Sequence, residues 1–246
     1  MVTPSWIRIF LDVPAPSWDA ALAFWPAASG CSSVEILGET GQFARLVPAH
    51  GDSWVEIQRI DDARPRVHLD LDSTDRPAAV RRSLDLGAQP AWTRRGEVAV
   101  MRSPGGLLYC HTVDLPTEGM VRDGLDIVLD QVSIDIPEAL WEAEVAFWQQ
   151  LTGRSLERGR RPEFAFLGDP DPAGAVRILL QRVGSGDTVT AHPDFAVADR
   201  PAQTVRHESL GAVVEQVFER WTVLVAPDGR RYCLTDRDPA TGRLAF

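Results

Sequence analysis

Apolar and polar residues alternate from Ile7 to Val13, with Ile9, Leu11 and Val13 on one side and Arg8, Phe10 and Asp12 on the other. A period of two marks a strand with two unlike faces. A helical stretch carrying Ala23-Phe24-Trp25 follows, and strands ending in Trp54 to Ile60 complete a βαβββ pattern. A strand opening at His68 and a helix from Asp75 to Leu86 come next, and two or three closing strands repeat the pattern. Asp75 suits an N-cap, and Gly87 suits the position just past the helix end.

The whole series then recurs. Ala146-Phe147-Trp148 repeats Ala23-Phe24-Trp25, His192-Pro193-Asp194 repeats His68-Leu69-Asp70, and Asp199-Arg200-Pro201-Ala202 repeats Asp75-Arg76-Pro77-Ala78. Leu210-Gly211-Ala212 repeats Leu86-Gly87-Ala88, and Tyr232-Cys233 repeats Tyr109-Cys110. Each offset is 123 or 124 residues, so the 246-residue chain reads as two copies of one domain. The expected division is residues 1–116, a linker at 117–125 and residues 126–246. In the second copy the first strand is expected at Val132 to Ile136, and Asp169-Pro170-Asp171-Pro172 reads as a turn.

Composition narrows the chemistry. All 25 basic residues are Arg, and neither Lys nor Asn occurs, which excludes an internal Schiff base to pyridoxal phosphate and a Walker A lysine. A net charge of -10 argues against nucleic acid or an anionic membrane surface as partner. No apolar run reaches the roughly 18 to 20 residues of a bilayer span, and no signal peptide is evident, so a cytoplasmic protein is expected. Cys31, Cys110 and Cys233 are odd in number and far apart, which reads as reduced thiols.

Arg66-Val67-His68-Leu69-Asp70-Leu71, the Leu-Gly-Ala helix ends and Pro227-Asp228-Gly229-Arg230-Arg231-Tyr232-Cys233 resemble the glyoxalase-like branch of the vicinal oxygen chelate superfamily. This superfamily also includes bleomycin-resistance proteins and dioxygenases. The resemblance implies an α+β fold of two tandem glyoxalase-like domains, each with two βαβββ modules forming a concave mixed sheet with helices outside. Strand parity then aims Arg8, Phe10, Asp12, Trp54, Glu56, His68, Asp70 and Cys110 into the first cup. Gln131, Arg177, His192, Asp194 and Cys233 enter the second. Trp25 and Trp148 are expected as core anchors, while His50 and His207 are expected in a loop and on a helix surface.

Metal-dependent relatives resemble one another in carrying His or Gln, Glu, His and Glu at four strand positions. This chain offers Arg8, Glu56, His68 and Cys110 there, and then Gln131, Leu179, His192 and Cys233, so neither set is complete. A divalent ion about 6 Å from the Arg8 guanidinium would be repelled by about 5 kcal/mol at an effective dielectric of about 20. Glu56, His68 and Cys110 nonetheless form a candidate set for Zn, Ni or Fe, with Gln131, His192 and Cys233 as its counterpart. The expected function is binding of a small organic molecule in the cups, with Arg8, Phe10, Asp12, Trp54, Asp70, Gln131, Arg177 and Asp194 as contacts and no assured metal. The alternatives are a metal-dependent lyase, isomerase or dioxygenase using Glu56 and His68, and an antibiotic-sequestering resistance protein. A monomer with paired domains and a homodimer are both compatible with the duplication.

Overall fold

A computed structural model of the chain describes residues 2–94, 98–113, 115–168 and 176–244. The turn expected at Asp169-Pro170-Asp171-Pro172 lies outside them. The first copy runs β1 (Trp6–Pro14), α1 (Trp18–Ser29), β2 (Ser33–Leu37), β3 (Phe43–Val47), β4 (Val55–Ile60), β5 (Arg66–Asp72), α2 (Arg76–Asp85), β6 (Gln89–Arg94), β7 (Val98–Arg102) and β8 (Leu108–Thr112). The second repeats it as β9 (Ile127–Pro137), α3 (Trp141–Thr152), β10 (Ser155–Arg158), β11 (Phe164–Gly168), β12 (Arg177–Val183), β13 (Thr190–Val197), α4 (Arg200–Ser209), β14 (Val213–Val217), β15 (Trp221–Val225) and β16 (Arg231–Thr235). Among the described residues the sheet orders are β2-β3-β4-β1-β5-β8-β7-β6 and β10-β11-β12-β9-β13-β16-β15-β14. The same mixed order occurs twice, so both copies are two βαβββ modules of an α+β fold.

The sequence signals act locally as expected. Asp75 accepts from the Ala78 amide at 2.9 Å and Asp199 from the Ala202 amide at 2.9 Å, and Gly87 and Gly211 take the left-handed conformation past each helix. Replacing either aspartate with Ala is expected to cost about 1 kcal/mol, read by urea denaturation, because an orphan amide at the helix start loses its acceptor. β9 begins at Ile127, five residues before the alternation does. Ile127, Val128, Leu129 and Asp130 are all buried, so both faces are covered and no polar positions mark the strand's start. Asp130 is tolerated there because Arg237 donates to both its oxygens at 2.7 and 3.0 Å and Arg122 adds a bond at 2.7 Å.

Compactness divides the chain differently from the duplication. One unit comprises Met1–Ile9, Val67–Thr117 and Val132–Ala191, and the other comprises Phe10–Arg66, Glu118–Gln131 and His192–Phe246. Each unit therefore takes about half its residues from each copy. In the first, Phe147 and Trp148 on α3 pack against Tyr109 on β8, with ring centroids 5.9 and 5.5 Å away. Trp148 Nε1 donates to Glu144 at 2.8 Å, and the other Glu144 oxygen accepts from the Gly105 amide at 2.5 Å. A Cβ on Gly105 would collide with Val189 and Glu144.

The second unit mirrors this with the roles exchanged. Phe24 and Trp25 on α1 pack against Tyr232 on β16 at 5.9 and 5.5 Å, and Trp25 stacks with Phe195 at 6.5 Å. Its indole donates to Asp228 at 2.9 Å. Glu144 matches Ala21 and Gly105 matches Asp228 at the 123-residue offset. The acid that receives the indole thus comes from the helix in one unit and from the closing turn in the other. Both tryptophans are fully buried, as core anchors must be.

His207 is a correction to the sequence reading. It is fully buried, not on the helix surface, and its Nδ1 lies 2.9 Å from the Tyr232 hydroxyl. The polar ring has a hydrogen-bonding partner that helical periodicity cannot reveal, because Tyr232 sits 25 residues away on another element. His111 faces away from Cys110, as alternation requires, and reaches Ser83 of α2 at 2.7 Å. No helix among the described residues is long and apolar enough to cross a membrane.

Candidate functional site

Register brings the first cluster together. β5 and β8 pair in parallel with Asp70 opposite Cys110 and Asp72 opposite Thr112. Opposed residues share a face, and His68 lies two residues before Asp70, so His68, Asp70 and Cys110 project to one side. The intervening Leu69 and Tyr109 project to the other side and are fully buried. One ligand atom from each of His68, Asp70 and Cys110 lies within 4.8 Å of the others.

Arg8 completes the surroundings of this cluster from β1. Its Nε donates to Asp72 Oδ2 at 3.1 Å and its Nη2 to Asp72 Oδ1 at 3.4 Å, while Nη2 also lies 3.7 Å from Asp70 Oδ2. Thr112 donates to Asp72 at 2.5 Å. Arg8, Asp70 and Asp72 are all buried, so the guanidinium is a fixed internal cation balanced by two carboxylates. Asp70 Oδ1 lies 3.4 Å from His68 Nε2 without hydrogen-bond geometry and has no hydrogen-bond partner among the described residues. Burial pushes the Cys110 thiol up to about 12, and the Asp70 charge pushes the same way, against a hydrogen bond from His68. The thiol is therefore protonated near neutral pH and is a poor nucleophile as it stands.

The second copy builds the same triad from β13 and β16, where Asp194 pairs in parallel register with Cys233. His192, Asp194 and Cys233 again bring ligand atoms within 4.8 Å, and His192 Nε2 stands 3.4 Å from Asp194 Oδ1. Here Gln131 occupies the position that Arg8 fills in the first copy, and its Nε2 donates to Asp194 Oδ2 at 2.6 Å. Ala196 stands where the first copy has Asp72. The Cys233 thiol is raised to about 11, first by burial and then by the Asp194 charge.

The remaining expected residues lie as follows. Glu56 is not a member of the His68 group; it accepts from Arg45 Nε at 3.1 Å, its cross-strand partner on β3. Asp12 accepts from Arg66 Nε at 3.1 Å, and Phe10 is buried. Trp54 donates its indole proton to the Leu129 carbonyl at 2.7 Å and borders an apolar cleft with Cys31, Leu46 and Ile127. Arg177 lies over the Phe166 ring, 5.7 Å from its centroid. Sequence reasoning placed the aspartates of the His-x-Asp repeats among ligand contacts but left them out of the metal sets. The available signal was the two-residue spacing itself, which sets both donors on one face of a strand.

The two clusters differ in their fitness for a divalent ion. The first presents three donors beside a guanidinium that cannot ligate and that repels a cation, so its residues do not fit a metal well. The second offers imidazole nitrogen, carboxylate oxygen, thiol sulfur and an amide whose 180° rotation presents an oxygen, a donor set that suits zinc.

The model of the glyoxalase-like domain family matches residues 8–112 and again residues 131–235. Among solved structures the chain is similar to a Mn(II)-bound glyoxalase from Novosphingobium aromaticivorans, at 18% identity over 96% of this chain and 83% of that one, with a TM-score of 0.66. It is also similar to a mutant 4-hydroxymandelate synthase from Streptomyces coelicolor, at 14% identity, covering 99% and 94% of the two chains, TM-score 0.63. The 2,3-dioxygenase LapB from Pseudomonas sp. KL28 gives 13% identity, 96% and 93% coverage, and a TM-score of 0.61. At these identities the likeness is one of fold. No curated protein matches the chain.

Proposed function

We propose that this chain, which belongs to the glyoxalase-like domain family of the vicinal oxygen chelate superfamily, binds a small organic molecule on the sheet face that carries Arg8, His68 and Asp70. The observation that carries this reading is the buried Asp70 Oδ1, an acceptor without a hydrogen-bond partner among the described residues. Leaving a buried acceptor unmatched costs about 1–3 kcal/mol, and more for a charged group, so a ligand hydroxyl or amine that donates to it recovers that energy. Arg8, held by Asp72, stands 3.7 Å from the other Asp70 oxygen and supplies it with a counter-charge. Phe10, Asp12, Trp54 and Arg177 are the further contacts we assign to ligands.

A second reading, a metal-dependent lyase, isomerase or dioxygenase working at Glu56 and His68, draws on the manganese named for the Novosphingobium relative. It is weaker for the first cluster, because Glu56 is engaged by Arg45 and Arg8 stands beside Asp70. Fragments carrying hydroxyl or amino donors, screened by ligand-observed NMR against the full chain, test the first reading. Hits are expected to bind Asp70→Ala at least about tenfold more weakly, the worth of a hydrogen bond to a charged group, and to bind Asp194→Ala unchanged. Hits that ignore Asp70→Ala, or a screen without hits, would overturn it.

A further inference from the structure

We infer that the first copy carries a second binding site, an apolar cleft at the end of α1 that takes the uncharged aliphatic end of a small molecule. The inference goes beyond ligand binding at Asp70 and does not rest on it. The cleft runs from the end of α1 to the start of β4, between Cys31, Leu46, Trp54, Val55, Ile127 and Leu129, all in one compact unit. Leu46 and Val55 alternate with Arg45 and Glu56, so they face away from that charged pair. Of the side chains around the cleft only Ser29, Cys31 and Trp54 carry a polar hydrogen, and each spends it inside the protein. Ser29 donates to the Pro26 carbonyl at 3.3 Å, the Cys31 thiol to the Ser33 carbonyl at 3.3 Å and the Trp54 indole to the Leu129 carbonyl at 2.7 Å. A polar group entering there gives up water for little in return, whereas an apolar group loses no hydrogen bond.

The second copy shows what kind of group fits such a place. Both helices end on a left-handed glycine, Gly30 with φ 68° and Gly153 with φ 70°. From there to the next strand the first copy has Cys31-Ser32, and the second has Arg154 alone. Arg154 is buried, and its Nη1 donates at 2.9 Å to the carbonyl of Val176, the residue just before β12. It therefore spans, from helix end to strand start, the interval that the cleft spans in the first copy. Three methylenes of an arginine stem fill that interval there, and the shorter Cys31 side chain gives the corresponding volume to the cleft. The space is about 40 Å³, where one water-sized group needs roughly 10–15 Å³. The guest that matches it is a chain of a few carbon atoms, with the rest of its molecule outside.

Propane and xenon, titrated into the full chain with labelled Ile, Leu and Val methyl groups, test the inference by NMR. The expected result is a saturable shift of the Leu46, Val55, Ile127 and Leu129 methyls, and no such shift with acetamide, a polar molecule of similar size. Cys31→Phe is expected to abolish the shifts by filling the cleft. Cys31→Arg with Ser32 deleted, which rebuilds the second copy's stretch in the first, is expected to do the same, and circular dichroism of both variants verifies folding. Asp70→Ala is expected to leave the shifts unchanged, which separates this site from the one proposed above. Absence of saturable shifts at these methyls, equal shifts with acetamide, or shifts that survive in both filled variants would overturn the assignment. Loss of the shifts in a folded Asp70→Ala protein would overturn it as well.

Discussion

Chemical denaturation of Arg8→Ala is expected to show a loss of about 3–5 kcal/mol of folding stability, the usual cost of removing one member of a buried ion pair. The substitution removes the two hydrogen bonds that Arg8 donates to the fully buried Asp72 and leaves Asp70 without the cation 3.7 Å away. Both carboxylates then lose a counter-charge in a low-dielectric interior, which is the expensive outcome. Arg8→Gln combined with Asp72→Ala removes the charge and its partner together, as the second copy does with Gln131 and Ala196. That double variant is expected to recover most of the loss, and the coupling of the two sites in a double-mutant cycle measures the pair directly. A loss below about 1 kcal/mol in Arg8→Ala, typical of exposed pairs, would mean that the guanidinium is not a buried counter-ion.

Acid is expected to weaken the fold from about pH 6.5 downward, through two buried histidines. His111 and His207 are both fully buried, and burial lowers each to about 4, with the nearby Arg206 charge adding to the effect at His207. The native state therefore holds both rings neutral, while the unfolded chain binds protons near the ordinary value of about 6.5. Between those values the unfolded state carries more protons, so stability is full above about pH 6.5 and falls as pH drops toward 4. At pH 5 the loss is about 2 kcal/mol per histidine, or about 4 kcal/mol for the pair, at 1.36 kcal/mol per pH unit per group. Urea unfolding at pH 7.5 and pH 5.0 measures this. His111→Leu, which places the residue of the matched position Leu234, is expected to remove about half of the pH dependence. Equal stability at the two pH values would show that one or both rings are protonated in the folded protein.

What could be read from the sequence followed from local rules. The constant offset revealed the duplication, Asp75 and Asp199 revealed the helix starts, and strand parity placed His68, Asp70 and Cys110 on one face. Features that depend on distant partners stayed hidden. His207 read as surface because α4 is polar around it, whereas the groups that bury it, the Tyr232 hydroxyl and the Phe24 and Phe195 rings, lie on other elements. The start of β9 was missed because residues 127–130 are buried on both faces and show no alternation, and the Arg237 that holds Asp130 lies 107 residues later. The exchange of Glu144 for Asp228 beneath the two tryptophans is written in the sequence as Glu144 with Gly105 and Ala21 with Asp228. Without coordinates, nothing says that these four positions belong to the same kind of pocket.

Each tryptophan helix rests on the closing hairpin of the opposite copy. Cut between residues 112 and 131, either half would expose Phe24 and Trp25, or Phe147 and Trp148, with no tyrosine strand of the other half to cover them. Two such fragments mixed together regain both surfaces at once, each supplying what the other lacks. A single-copy forebear could have met the same need by associating as a twofold dimer, and joining two genes end to end would have turned that concentration-dependent association into a permanent one.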